Sequence, residues 1–308
     1  MRILALVTLI AVALILLGLA YYLIVGNILF NILFARKSLS TRVLRKDIHK
    51  ALEDYKIDLC WWQKIKFKKV TTQSFDQLKL VGHFYNSNSD KTVIVVHGFG
   101  QDYREMQPYC KYFYEKKFNV LAIDNRGHGE SEGKVGFGWL DRKDLISWIE
   151  YLNKILPDQK IVLFGLSMGA TAVCAASGEN LPSNVRAIIS DCAFSNADRQ
   201  IKHIMRKHKF VLKFFKWHLY DFSKRIRGFD IMKVDASKMV EKSNLPFLFI
   251  HGDQDNFVPL ENVYLLSKLA QNKEIFVVKD AKHAMAFSVS GIEYEKKISD
   301  FIKSRTNI

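Results

Sequence analysis

No grouping of histidines, cysteines and carboxylates in this 308-residue sequence has the spacing of a metal site, which excludes the zinc-finger and metalloprotease patterns. Internal repeats and low-complexity tracts are also absent, so the chain is neither a solenoid nor a disordered linker. The four cysteines, Cys60, Cys110, Cys174 and Cys192, mark no redox compartment. Cys174 falls in a helical pattern and Cys192 ends a strand pattern, the settings of buried thiols. Acidic residues are scarce beside basic ones, 31 against 46, which leaves a formal net charge of +15. Such an excess fits nucleic acid, an anionic membrane or a cell-wall polyanion. No nucleic-acid motif accompanies it, whereas an apolar segment does, so anionic phospholipid is the partner it points to, weighed against a solvated basic face with no partner.

Charge is missing altogether from residues 3–35. Residues 3–25 are apolar apart from Thr8, Gly18, Tyr21 and Tyr22, long enough to cross a hydrocarbon core of about 30 Å. The apolar run is too long for a cleavable signal and Leu19-Ala20-Tyr21 is a poor cleavage site, so residues 1–35 read as an uncleaved single-pass anchor. Tyr21 and Tyr22 suit an interfacial belt. Residues 36–63 then form a basic connector with Trp61 and Trp62 near its end, able to pack on the following domain or rest at the membrane surface. Arg36, Lys37, Arg42, Arg45, Lys46 and Lys50 on that flank, against Arg2 alone on the other, favour a cytoplasmic catalytic domain by the positive-inside rule. The N-terminal flank is too short for a fair count, and the side stays open.

From residue 64 onward the pattern predicts strands at 65–72, 78–85, 92–96, 120–124, 161–164, 187–190, 247–250 and 274–278. From the third onward they alternate with helical patterns. The expected fold is therefore a mostly parallel eight-stranded sheet with helices on both faces, in one domain spanning 64–308.

Within it, residues 161–177 read IVLFGLSMGATAVCAAS: a β-branched apolar run, then G-L-S-M-G, then a small-residue helix. This is the pattern of a nucleophile elbow. A serine hydroxyl is a poor nucleophile unless a sharp strand-to-helix turn exposes it to a base and to backbone N–H groups. Gly165 and Gly169 give the turn its steric clearance. A second G-x-S-x-G match, G-E-S-E-G around Ser131, opens no helix and carries two carboxylates that would oppose a developing oxyanion, so Ser167 is the expected nucleophile and Ser131 a decoy.

Downstream, PFLFIHGDQDNFVP (246–259) and EIFVVKDAKHAMAF (274–287) each read as a strand ending in a polar loop. Together with HGF at 97–99, DNRGHGESEG at 124–133 and GLSMG, these segments resemble the α/β-hydrolase superfamily, within it the serine-aminopeptidase-like or esterase-like hydrolases. The resemblance implies Asp255 as the acid, with Asp253 structuring the loop as the weaker alternative, and His283 as the base. Lys282 stands where that group often has glycine. An oxyanion hole is expected from the N–H groups of Phe99 and Met168, while His97, His128 and His251 read as structural. No cofactor is implied.

The same fold holds a lid at about 196–243. Here residues 199–227 are dense in lysine and arginine, with Val211, Phe214, Phe215 and Leu219 at helical spacing, which predicts an amphipathic helix whose apolar face covers the pocket. The function that follows is ester hydrolysis by a membrane-held serine hydrolase on a small acyl ester. The same triad would serve a peptidase or amidase, and a scaffold without catalysis is the rival from another class.

Overall fold

A computed structural model describes residues 2–34, 61–306 and 308. Its centre is one eight-stranded sheet in the order β1-β2-β4-β3-β5-β6-β7-β8. The strands are β1 (Lys68–Gln73), β2 (Lys79–Tyr85), β3 (Lys91–Val96), β4 (Asn119–Ile123), β5 (Lys160–Leu166), β6 (Val185–Asp191), β7 (Pro246–Gly252) and β8 (Asn272–Val278). Only the β1–β2 and β2–β4 pairs are antiparallel; every other neighbouring pair is parallel. All eight predicted strands are present. In β4 and β7 every residue is buried, which is why they read as unbroken apolar runs, while the edge strand β8 alternates.

The helices, in chain order, are α1 (Arg2–Phe34), α2 (Trp61–Lys64), α3 (Gln107–Glu115), α4 (Asp141–Ile155), α5 (Met168–Ala176), α6 (Ala197–Ile204), α7 (Lys209–Phe222), α8 (Ala236–Glu241), α9 (Glu261–Leu269), α10 (Ala286–Ser290) and α11 (Ile292–Arg305). On one face of the sheet, Tyr109 and Phe113 of α3 and Tyr294 and Phe301 of α11 close over Tyr85 and Phe164. On the other, Trp148 of α4, Ala170 and residues 172–176 of α5, Val240 of α8 and Leu266 of α9 pack on Leu163 and Phe249.

The expected connector lies mostly outside the described residues, as does Cys60. Its end does not rest at the surface. Trp61 is buried in the α3 and α11 layer, its ring 5.0 Å from Tyr85 and 5.5 Å from Tyr114. Among the described residues the core thus includes Trp61, which lies ahead of the expected boundary at residue 64.

The segment between β6 and β7 carries α6, α7 and α8, and a third apolar cluster forms beneath it, joining Phe137, Met168, Phe194, Leu219, Phe222, Phe229 and Val258. The α7 face differs from the one expected. Leu219 enters the cluster and Phe215 is half-buried, but Phe214 points outward, 63 % exposed, because Tyr220 and Phe222 take the inward positions in the last turn. The side chain of Val211 lies outside the described residues.

Helix α1 is long and apolar enough to cross a membrane. Its two halves have different surroundings. Residues 2–20 are exposed on every side, whereas Tyr22, Val25, Gly26, Leu29 and Phe30, at i, i+3, i+4, i+7 and i+8, turn toward the lid. A Cβ on Gly26 would lie 2.3 Å from the Phe222 ring, so glycine is what admits that ring. The Tyr22 hydroxyl donates to Asp221 at 2.8 Å, and Arg227 donates to the Asn27 side chain at 2.7 Å.

Replacing Trp61 tests its membership of the core. Trp61→Ala should lower the unfolding free energy by about 3–5 kcal/mol in urea titrations. A loss below about 1 kcal/mol would return it to the surface.

Candidate active site

The turn from β5 into α5 holds Ser167 at φ 55° and ψ −114°, a region that non-glycine residues seldom occupy. Its neighbours enforce that conformation. A Cβ on Gly165 would stand 2.3 Å from the Gly169 carbonyl oxygen, and one on Gly169 would stand 2.2 Å from the Val96 carbonyl oxygen of β3. The Ser167 N–H donates to the Asp191 carbonyl at 2.8 Å, tying the turn to the end of β6. The hydroxyl is thereby aimed at the loop after β8, where His283 Nε2 lies 2.8 Å from Ser167 Oγ.

On its other side His283 Nδ1 is 2.6 Å from Asp255 Oδ2. Asp255 follows β7, and its Oδ1 accepts from the N–H groups of Phe257 and Val258 at 2.9 and 2.8 Å. Three residues widely separated in sequence thus meet at the carboxyl ends of parallel strands. Lys282 needs no positive φ; it is Ala284, at φ 59°, that bends the histidine loop.

Residues 87–228 match the family model described as serine aminopeptidase, S33. The uncharacterized protein YqkD of Bacillus subtilis is 26% identical over 224 residues, covering 71% of this chain and 73% of its own. The monoglyceride lipase of Rattus norvegicus is 25% identical, with 65% and 77% covered. The esterase Pf2001 of Pyrococcus furiosus is 25% identical and superposes with a TM-score of 0.65 over 82% of this chain and 95% of its own.

This chain is an α/β-hydrolase. It is of the serine-hydrolase kind, and the fold assigned from the sequence motifs is the one observed. The other residues singled out in the sequence occupy structural positions in the hydrolase. Ser131 donates to the Asp124 carbonyl at 2.7 Å and accepts from Val81 N–H at 2.8 Å, deep in the turn beside β2. Asp253 accepts from Asp280 N–H at 2.7 Å and braces its loop. His97 accepts from Asn125 N–H at Nε2 and donates from Nδ1 to the Gly98 carbonyl at 2.7 Å. His128 accepts from Gly100 N–H at 3.1 Å.

These bonds shape the loop that carries Phe99. The Gly98 N–H is taken by Gln101 and the Gly100 N–H by His128, so the N–H of Phe99 stands between two occupied donors. Met168 opens α5, and N–H groups in a first turn have no intrahelical partner.

Around the hydrolase site, burial and the charged partners it encloses act against each other. For Asp255, burial acts to raise the carboxyl pKa, but the His283 charge and hydrogen bonds from both His251 and His283 outweigh it and hold the group well below the usual range. His251 Nε2 lies 3.4 Å from Asp255 Oδ2 while donating to the Val258 carbonyl at 2.9 Å. Burial would lower the His251 pKa, and the Asp255 carboxylate raises it overall. Cys192, Asp255 and His283 bring ligand atoms within 4.8 Å of one another. They make a poor metal site: His283 and Asp255 are bonded to each other at 2.6 Å, and burial keeps the Cys192 thiol protonated.

Asp191 escaped the sequence reading, its only signal being a carboxylate at the carboxyl end of an apolar strand. It is fully buried behind the site and accepts from the Tyr294 hydroxyl at 2.8 Å. Burial raises its pKa to about 6. A raised folded-state value means stability that is present below the unfolded carboxylate pKa and lost as pH rises through about 6. Asp191→Asn, which keeps an acceptor for Tyr294, should therefore stabilise the hydrolase at pH 8 by up to about 3 kcal/mol and not at pH 4. Thermal melts at both pH values check it; equal changes would show that Asp191 is not strained by its charge.

Proposed function

We propose that this hydrolase cleaves carboxylic esters of apolar acyl chains at a membrane, through an acyl-enzyme on Ser167. The observation that carries the proposal is the continuous contact from Ser167 Oγ to His283 Nε2 and from His283 Nδ1 to Asp255, on a strained strand-to-helix turn. In this reading Ser167 attacks the ester carbonyl and His283 takes its proton, later giving it to the leaving alkoxide. Asp255 fixes the imidazole tautomer and stabilises its cation, a role suited to a carboxylate held ionised. The N–H groups of Phe99 and Met168 receive the oxyanion, and water resolves the acyl-enzyme.

The substrate class rests on the lid. Phe137, Phe194, Leu219, Phe229 and Val258 cluster with Met168, the residue after the serine, and Phe99 packs against them; apolar surroundings of this kind favour an acyl chain over a peptide. The resemblance to a monoglyceride lipase and to an esterase is consistent with that choice. The family description, serine aminopeptidase, supports amide cleavage as a second reading.

Residues 1–35 act in this proposal as a retained anchor, with the catalytic domain on the cytoplasmic side and the basic excess drawn to anionic phospholipid. The interlock of residues 22–30 with the lid supports retention, because removing the helix would strip Phe30 from an apolar cluster.

Two experiments test the chemistry. Ser167→Ala should abolish fluorophosphonate labelling and lower kcat/KM by about 10³-fold or more, about 4 kcal/mol, while Ser131→Ala keeps both. Equal loss in the two variants would break the assignment. Across p-nitrophenyl esters of increasing acyl length and a set of aminoacyl amides, turnover should favour the esters, and a preference for the amides would replace esterase by peptidase.

A further inference from the structure

The lid helix α7 has an outward face that the chemistry above does not use. Phe210, Phe214 and Trp217 follow at i, i+4 and i+7, and they are 74, 63 and 73 % exposed. The Phe210 and Phe214 rings touch, with centroids 4.5 Å apart. Single exposed apolar residues are ordinary, but three large aromatics on two turns of one helix make a contiguous patch. Lys209 and Lys213 are exposed along its side.

Where this stripe points follows from α1. The contacts between the two helices ascend together: Tyr21 and Tyr22 meet His218, Gly26 and Phe30 meet Phe222, and Asn27 meets Arg227, just past the end of α7. The helices run in the same sense, and the N-terminal half of α7 lies toward the exposed stretch of α1. At 1.5 Å per residue that stretch, residues 3–20, is about 27 Å long, close to the hydrocarbon thickness of about 30 Å. The bilayer surface then falls near Tyr21, the level at which α1 meets His218. Phe210 is two turns N-terminal of His218, up to about 12 Å along the axis toward the lipid.

We propose that the outer face of α7, through Phe210, Phe214 and Trp217, inserts into the leaflet at which α1 ends, with Lys213, nearer the surface than Phe210, reaching back to anionic headgroups. The occupant is the lipid bilayer itself. Continuity with the bare apolar surface of α1 and the flanking positive charge both select it over a protein partner. The lid is then fixed at two points, by α1 along one side and by lipid on its outer face, and the cluster around Met168 opens toward the source of a membrane-dissolved ester. This rests on the anchor reading of α1, and its substrate consequence rests on the esterase reading.

The test uses the full chain in nanodiscs of phosphatidylcholine and phosphatidylglycerol, with or without brominated acyl chains. The emission lost on Trp217→Phe should be the quenchable component, falling at least about twofold in lipid brominated near the top of the acyl chain, because Trp217 sits beside the His218 level at the headgroup boundary. The triple variant Phe210→Ser, Phe214→Ser, Trp217→Ser should turn over p-nitrophenyl butyrate unchanged and a nanodisc-held long-chain monoacylglycerol at least about tenfold more slowly. A chain that elutes apart from the discs overturns the anchor and this proposal together. Incorporation with an unquenched Trp217 overturns this proposal alone and makes the stripe a protein contact. Equal loss on both esters in the triple variant would also overturn it, by making the face part of the lid's own fold. If neither ester is turned over by the wild type, the esterase reading fails and the quenching arm still decides insertion.

Discussion

The backbone of Ser167 is the constraint from which the rest of the site is built. A side chain at φ 55° persists only where its surroundings over-determine it. Here they do so from three sides: the Asp191 carbonyl receives its N–H, the Gly165 and Gly169 backbones close on each other, and Gly169 lies against the Val96 carbonyl of β3. The same closeness dictates the composition of α5. All nine residues of this helix are buried, and after Met168, which turns to the lid cluster, they are alanine, glycine, threonine, valine and cysteine, small side chains that fit so close to the sheet.

Sheet topology then supplies the partners. Parallel strands deliver their loops to a common edge, and the ends of β5, β7 and β8 bring Ser167, Asp255 and His283 within hydrogen-bonding reach. Asp255 is the most heavily restrained of the three, with two backbone donors on one oxygen and two histidines at the other. The carboxylate cannot rotate without breaking several bonds, so the orientation it imposes on His283 is inherited from the backbone of its own loop.

What could be read from the sequence follows from how local each signal is. The eight strands were legible because strands buried on both faces are apolar runs bounded by polar loops, and Ser167 was separable from Ser131 because only one of them precedes a helix. His283 and Asp255 stand in the loops after β8 and β7, and their hydrogen bond joins two segments that are far apart in the sequence. Trp61 and Asp191 were not legible in this way. The partners of Trp61 are Tyr85 and Tyr114, and the strain on Asp191 comes from burial among β6, α11 and the site, none of which leaves a periodic trace in sequence. The face of α7 was misjudged for a related reason. Its apolar residues surround more than one side of the helix, and only the packing of Leu219 and Phe222 shows which side is inward.

Helix α1 is written in one apolar alphabet but obeys two rules. Between residues 2 and 20 every position is exposed around the full circumference, so exchanges among leucine, isoleucine and valine leave its surroundings unchanged. From Tyr22 to Phe30 the same helix has a single inward edge, where Gly26 admits a phenylalanine ring and Tyr22 donates to a carboxylate. A glycine-to-leucine exchange is harmless at Gly18, where a Cβ meets nothing within 4 Å, and disruptive at Gly26, where it would strike the Phe222 ring. The first half of the segment tolerates exchange by composition, and the second only by shape.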